Sequence, residues 1–140
     1  MSTSLAVVVT AVIAATGVAF VIGRLLTLRS GMLRAAEQAA DVDTAGLDLS
    51  TEGPTIVHFS APWCGPCAAV RRVAEQICAD LPGVHHSEID IDENPELAQR
   101  FSILSLPTTL IFDAAGKLRY RTSGVPRADE LRTLLTPWLA

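Results

Sequence analysis

The longest apolar stretch of the chain lies near its N-terminus, where residues 5–22 carry no charged side chain. Such a stretch is close to the roughly 20 residues that a helix needs to cross a bilayer core. The pattern predicts one transmembrane helix within residues 1–28. A cleaved signal peptide is an alternative, although the basic segment that usually precedes its apolar run is missing. A buried core helix is a third, but the rest of the chain offers little surface to cover a helix that is apolar on every side.

The direction of this predicted span follows from the charges beside it. Arg24, Arg29 and Arg34 follow the apolar run, and no basic side chain precedes it. Basic residues close to a span tend to stay on the cytoplasmic side. We therefore expect a single-pass protein of the cell membrane, in contact with lipid through this helix, with the rest of the chain on the cytoplasmic face. The extracytoplasmic orientation is the alternative.

The next segment, residues 29–52, is rich in alanine and is predicted to be a juxtamembrane linker. Alanine favours helix, so the segment can continue the span as a stalk that ends at Gly46. A disordered tether fits the composition equally well, and periodicity does not separate the two.

Residues 53–140 show the alternating patterns of a folded α/β domain. Residues 55–60 are rich in β-branched side chains and predict a buried strand. Residues 68–81 have helical spacing, residues 109–112 and 118–122 flank a turn as in a hairpin, and residues 127–139 form an amphipathic pattern. Strands joined by helices, with a hairpin near the end, predict the α/β class.

Charge and composition exclude one class of function. The net charge is -4 and aromatic residues make up 5% of the chain. A protein that binds nucleic acid needs a basic excess to neutralise phosphates. We therefore predict no nucleic-acid partner, and nothing in the composition calls for a cofactor.

The predicted strand at residues 55–60 leads into Cys64-Gly65-Pro66-Cys67, and a predicted helix follows. This order places Cys64 at a helix N-terminus, where unsatisfied N–H groups and the helix dipole stabilise a thiolate. Cys67 lies one turn further, within reach of a mixed disulfide on Cys64. Two thiols at this spacing form a reversible two-electron centre.

The third cysteine does not extend this centre. Cys78 follows Cys67 by eleven residues, which is about 16 Å along a helix. A disulfide requires Cα atoms within about 7 Å, so Cys78 is predicted to be a small core residue. His85 and His86 are predicted in a loop, and together with the three cysteines they are the candidate ligands for a zinc ion. Without a second Cys-x-x-Cys pair, the sequence predicts no metal site.

Residues 61–67, APWCGPC, resemble the active-site motif of the thioredoxin family, and WCGPC matches it residue for residue. Residues 89–95, 101–108 and 113–117 also resemble family segments, as does Gly124. The resemblance covers residues 53–140, and implies a thioredoxin-like fold, a central mixed sheet with flanking helices, that is abbreviated at its start.

The resemblance also implies roles for individual residues. Cys64 is the expected nucleophile and Cys67 the resolving thiol, and the two form the redox-active disulfide. Leu106–Pro107 is expected to be a cis peptide beside them. The residues expected to contact substrate are Trp63, Gly65, Pro66, Leu106, Pro107 and Gly124. The expected partners are protein disulfide substrates and a reductase that donates electrons.

Two positions depart from the family pattern. His58 stands where the family usually has a buried aspartate, and Glu88 where it has a lysine. If the pair is preserved with exchanged charges, both side chains face inward, and His58 titrates near neutrality and handles protons at the second cysteine. Two unrelated substitutions, with His58 a neutral core residue, are the alternative.

Together these patterns predict a membrane-anchored thiol–disulfide oxidoreductase that reduces protein disulfides. A non-catalytic thioredoxin-fold module that binds a membrane partner is one alternative. An extracytoplasmic disulfide reductase is another, although the central insertion typical of such proteins has little room between residues 80 and 91.

Overall fold

A computed structural model describes residues 2–29, 34–35 and 42–139. Of the side chains in the first range, those at residues 7–8 and 11–25 are described. The chain forms two compact units, Met1–Ser30 and Gly31–Ala140. Part of the predicted linker, residues 30–33 and 36–41, lies outside the described residues.

The first unit contains helix α1, Ser2–Arg29. Its large apolar side chains are exposed wherever they are described, with Val7 68% and Phe20 75% accessible. Thr16 donates its hydroxyl to the carbonyl groups of Val12 and Ile13 at 2.8 and 3.0 Å. Within the described side chains, no helix combines the length and the apolar character that a membrane crossing requires.

The second unit is built on a five-stranded mixed sheet. Its strands are β1 (Arg34–Ala35), β2 (Thr55–Ser60), β3 (His85–Asp90), β4 (Thr108–Phe112) and β5 (Leu118–Ser123). Their spatial order is β1-β5-β4-β2-β3. Strands β2 and β3 are parallel, and the other neighbours are antiparallel. The thioredoxin-like α/β fold and the predicted hairpin of β4 and β5 are therefore confirmed.

Two apolar clusters cover the two faces of this sheet, because alternate residues of each strand point to opposite sides. Ile56 and Ile111 pack with helix α2 (Cys67–Asp80) and helix α4 (Ala128–Leu135). Phe59 and Phe112 pack on the other face, which helix α3 (Pro95–Arg100) covers through Leu97. The sheet is thus the middle layer of a three-layer domain.

The predicted linker contributes to this domain. Val42, Leu47 and Leu49 pack against the cluster around Phe59, and the backbone of Arg34–Ala35 pairs with β5. The described residues 42–54 contain neither helix nor strand, so over that range the proposed helical stalk is not formed.

Other boundaries differ from prediction by small amounts, with one exception. The last helix changes at Thr136 into a 3-10 turn, Thr136–Leu139, that contains Pro137, because proline has no N–H to continue the α-helical bonding.

The exception concerns His85 and His86, which were predicted in a loop and lie in strand β3. Within residues 85–90, Ile89 is the one apolar residue, so the sequence lacks the alternation of apolar and polar positions that indicates a strand.

Candidate active site

Cys64 and Cys67 form a disulfide between the end of β2 and the start of α2. The Sγ atoms are 2.07 Å apart and the Cα atoms 5.5 Å apart. Cys64 lies in the turn before the helix and Cys67 is its first residue. Cys64 therefore lies in the turn that leads into the helix N-terminus. In this turn the Cys67 N–H donates to the Cys64 carbonyl at 3.3 Å.

The two sulfur-bearing residues differ in exposure. Cys64 is half-buried, whereas Cys67 is 2% exposed. A thiol that attacks an external disulfide must be accessible to it, while a resolving thiol needs access only to the first sulfur. The burial pattern is that expected of an attacking Cys64 and a resolving Cys67.

The residues that flank the disulfide leave an open surface around it. Trp63 is 69% exposed, and its indole Nε1 donates to Oδ2 of Asp92 at 3.1 Å. Gly65 and Pro66 are exposed. A Cβ added at Gly65 would meet no atom within 4 Å, so the space beside Gly65 is open.

The Leu106–Pro107 peptide bond is cis, as the resemblance implied. Strand β4 begins at the next residue, Thr108, which pairs with Phe59 near the end of β2. This pairing brings Pro107 to the same end of the sheet as the cysteine motif. The Gly124 N–H donates to the Pro107 carbonyl at 2.9 Å, and Gly124 has a positive φ of 86°, a conformation that glycine adopts without strain.

Beneath the motif, His58 is completely buried on the face of β2 that packs against α2. Its Nδ1 lies 2.9 Å from Nε2 of His86. Its Nε2 lies 3.4 Å from Oε1 of Glu88 but makes no hydrogen bond of acceptable geometry. The parallel register aligns His58 with Glu88, so the predicted proximity of these two residues is present.

The pKa of His58 does not lie near neutrality. Burial lowers it from the ordinary 6.5 to about 4, and the attraction of Glu88 only partly opposes this. His86 and Arg71 lower the pKa of His58 further. The expectation that Glu88 would keep the pKa of His58 near neutrality was therefore wrong. The free-energy cost of burying a charged imidazole is larger than its attraction to Glu88, a carboxylate that also interacts with Arg71. His58 is a neutral imidazole at pH 7.

Glu88 also differs from expectation, since it is only partly buried and its hydrogen bonds go to Arg71 rather than to His58. Its side chain is 25% exposed and accepts two hydrogen bonds from Arg71, at 2.6 and 2.7 Å. These bonds, with help from the Ser60 hydroxyl and the charges of His58 and Arg71, lower the pKa of Glu88 to about 2. The carboxylate is ionised, and both of its oxygens accept hydrogen bonds from Arg71.

His86 and Arg71 are the site residues that the sequence did not indicate. His86 precedes Glu88 by two residues, so a strand assignment for residues 85–90 would have placed both side chains on one face. Arg71 is one helical turn after Cys67, and its role depends on which strand α2 covers. No local pattern carries that information.

Cys78 and His85 take no part in this network among the described residues. Cys78 is a free thiol packed against the cluster around Ile56. Burial raises the pKa of Cys78, and the charge of Glu75 adds to the effect. The described residues contain no group of three or more His, Cys, Asp or Glu side chains that would hold a metal.

Known proteins are similar in sequence to most of the second unit. Residues 41–136 match the sequence profile of the family described as thioredoxin. Thioredoxin 1 of Nostoc sp. is 34% identical over 103 residues, which cover 73% of this chain and 96% of that protein. The thioredoxin of Chlamydia trachomatis is 36% identical over 89 residues, covering 64% and 86%.

A solved structure with the same fold is that of chloroplastic thioredoxin z, with a TM-score of 0.57 and 36% identity, covering 61% of this chain and 78% of that one. The profile match includes more than half of the chain and both cysteines of the disulfide. The chain therefore belongs to the thioredoxin family and is a protein-disulfide oxidoreductase.

Proposed function

We propose that this protein works in the reducing direction, transferring electrons from the Cys64/Cys67 dithiol to disulfides of other proteins. The reducing direction is supported by the intact WCGPC motif at residues 63–67, and the roles of the two thiols by the difference in exposure between half-buried Cys64 and Cys67, which is 2% exposed. The protein partners are disulfide substrates and a reductase that restores the dithiol.

The reaction balances in two exchanges. The Cys64 thiolate attacks one sulfur of the substrate disulfide, forms a mixed disulfide, and releases the first substrate thiolate. Cys67 then loses its proton and attacks Sγ of Cys64, which releases the second substrate thiolate and forms the Cys64–Cys67 disulfide. Two electrons reach the substrate, and its two thiolates take up the protons that the enzyme thiols gave up.

His58 is proposed to handle the proton that Cys67 gives up. Cys67 begins α2, and His58 lies on the face of the sheet that α2 covers. A neutral imidazole has an unprotonated nitrogen able to accept a proton. Glu88, 3.4 Å from Nε2, stabilises the imidazolium while it exists.

Reduction of insulin disulfides by the full-length protein, with dithiothreitol as electron donor, tests the activity. We expect turnover in the wild type and its loss in Cys64→Ser, while Cys78→Ser keeps the wild-type rate because Cys78 is outside the site. Turnover that persists in Cys64→Ser would contradict the proposal. A wild type that folds but does not reduce insulin would support the non-catalytic interaction module instead.

Helix α1 is proposed to anchor the protein in the cell membrane, with the thioredoxin domain on the cytoplasmic face. Two features support this: the uncharged residues 5–22 and the apolar side chains of α1, such as Val7 and Phe20, that the first unit leaves exposed. The Thr16 hydroxyl donates a hydrogen bond to the helix backbone, so this polar group has a partner that lipid would not supply. The three arginines at 24, 29 and 34 support the orientation.

Alkaline extraction of membranes, followed by mass spectrometry of the retained protein, tests the anchor. We expect the intact N-terminus in the membrane fraction, and Cys64 unreactive toward an impermeant thiol reagent until cells are opened. A soluble product that lacks residues 1–28 would contradict the anchor. Labelling of Cys64 in intact cells would contradict the cytoplasmic orientation alone.

A further inference from the structure

Leu104 is the most exposed of the large apolar side chains that the structure describes, with 93% of its surface accessible. Its loop neighbours Ile103 and Leu106 differ, because they pack against the cluster around Phe59. Single exposed leucines are common on protein surfaces and need no partner. Two features set Leu104 apart from them: the way its backbone is held, and its place at the active-site end of the sheet.

The backbone before Leu104 is fixed by Arg121 of strand β5. Its Nη1 donates to the carbonyl of Phe101 at 2.9 Å, and its Nη2 donates to the carbonyl of Ser102 at 2.6 Å. Ser102 has a φ of 49°, a left-handed conformation that is uncommon for residues other than glycine. The Ile103 N–H donates to a carbonyl of helix α3 at 2.8 Å. These bonds set the direction in which the chain reaches Leu104.

The backbone after Leu104 is held as well. The Thr108 hydroxyl donates to the carbonyl of Ser105 at 2.7 Å, and the side chain of Leu106 packs into the apolar cluster beneath the loop. A loop that is already fixed loses little conformational entropy when a partner binds to it. Leu104 is therefore a preorganised contact point.

Leu104 and Trp63 leave the sheet at the same end. Phe59 of β2 is paired with Thr108 of β4, and Trp63 follows Phe59 by four residues, as Leu104 precedes Thr108 by four. Four residues span at most about 14 Å, so both side chains start within about 14 Å of this pair. An ordinary protein interface buries about 800 Å² on each partner, which is a patch about 30 Å across. One docked protein can therefore contact Leu104, Trp63 and the adjacent Cys64.

The chemistry of this surface favours an apolar ligand group. Residues 101–108 contain no acidic or basic side chain. The Trp63 ring is held by its bond to Asp92 at 3.1 Å and is 69% exposed. An apolar side chain of a docked protein gains free energy by leaving water against these surfaces, whereas a charged one finds no partner in the loop.

We propose that Leu104 is a specificity-determining residue: it contacts an apolar side chain of the substrate protein near the disulfide that Cys64 attacks. The inference rests on the proposed reductase function for the identity of the partner. It adds to the expected substrate contacts a side chain that lies outside both the cysteine motif and the Leu106–Pro107 bond. Disulfides flanked by apolar residues are then preferred over disulfides flanked by polar ones.

Exchange equilibria at Cys64 measure this contact without turnover. The full-length Cys67→Ser variant has no resolving thiol, so a peptide with one cysteine stays attached to Cys64. The peptide thiol displaces glutathione: the Cys64–glutathione disulfide breaks, the Cys64–peptide disulfide forms, and glutathione leaves as a thiol. The peptides carry leucine or serine, in turn, at each of the three positions on either side of their cysteine. Mass spectrometry gives the ratio of the two adducts at Cys64.

Two variants at residue 104, made in the Cys67→Ser protein, separate an apolar contact from other causes. Leu104→Ser removes the apolar side chain, and Leu104→Met is the matched control that keeps one. Because Leu104 is exposed, both should keep the unfolding midpoint of the parent protein. With Leu104 present, leucine should be favoured over serine by about tenfold at one or more positions, the scale of an apolar contact in a binding site. Leu104→Ser should lose most of this preference, and Leu104→Met should retain it.

A parent protein without a leucine preference at any position would overturn the proposal. So would a preference that persists in Leu104→Ser, which would assign it to Trp63 or another residue, or a Leu104→Met variant that behaves as Leu104→Ser does. Insulin reduction by the wild type tests the proposed function separately. If insulin is reduced but no leucine preference is found, the Leu104 contact alone fails. If the preference depends on Leu104 but insulin is not reduced, the contact stands and the reductase function fails.

Discussion

Arg71 on helix α2 donates two hydrogen bonds to the carboxylate of Glu88 on strand β3, from Nε to Oε2 at 2.6 Å and from Nη2 to Oε1 at 2.7 Å. The same carboxylate lies 3.4 Å from Nε2 of His58. One negative charge is therefore shared between a permanent cation and a buried imidazole. Since the guanidinium takes the two good hydrogen bonds, Glu88 does too little to keep His58 protonated at pH 7.

Opposite shifts in the pKa of His58 are expected when this pair is changed. Glu88→Gln removes the attraction that raises the pKa of His58, so the pKa should fall below about 4. Arg71→Gln removes a cation that lowers the pKa of His58, so the pKa should rise. An NMR titration of the His58 ring measures both. Equal pKa values in the two variants would show that the charges do not act on His58.

The pH dependence of stability should carry the signature of buried His58. Its pKa is about 4 in the folded state and 6.5 when exposed, so between these values the unfolded chain binds more protons. Stability must then rise with pH across this window and be lost as the pH falls from 6.5 toward 4. The His58 contribution is at most about 3.5 kcal/mol, from a shift of about 2.5 pKa units at about 1.4 kcal/mol per unit.

Urea unfolding between pH 4 and 7 checks this, with His58→Gln as the comparison. We expect the variant to show a flatter dependence of the free energy of unfolding on pH than the wild type. A wild-type slope retained in His58→Gln would mean that other groups, and not His58, bind the extra protons on unfolding.

Cys64 should be the first thiol to react in the reduced protein, because it is half-buried while Cys67 is 2% exposed. Limiting iodoacetamide followed by peptide mass spectrometry should find label on Cys64 before Cys67 or Cys78. The raised pKa of Cys78 keeps its thiol protonated and slow to react. Preferential labelling of either other cysteine would reverse the assignment of the attacking thiol.

Gly53→Ala should destabilise the domain by about 1–3 kcal/mol, the range typical of forced overpacking. A Cβ at residue 53 would lie 2.0 Å from the carbonyl oxygen of Gly83, a backbone atom that moves only with its whole turn. Gly65→Ala is the control for stability, since no atom lies within 4 Å of its added Cβ, and it should change the free energy of unfolding by less than about 0.5 kcal/mol. Similar unfolding midpoints for the two variants would contradict the close approach at Gly53.

Signals between neighbouring residues were enough to predict several elements of this protein. The strand before Cys64, the helix after Cys67 and the β4–β5 hairpin were predicted from periodicity and turn residues, because those signals are local. The family motif indicated the cis bond at Pro107. Two helix ends differ from prediction. Helix α2 begins at Cys67, directly after Pro66, and the last helix changes into a 3-10 turn that contains Pro137.

The contacts of His58, in contrast, depend on how the strands and helices are assembled. Its contact with His86 depends on the parallel pairing of β2 and β3. The hydrogen bonds from Arg71 to Glu88 form because α2 packs near strand β3. The pKa of a buried group is a balance between desolvation and charges contributed by several elements. Residues 58, 71, 86 and 88 are distant along the chain, so no local pattern reports that balance, and it emerges only when the sheet and helix are assembled.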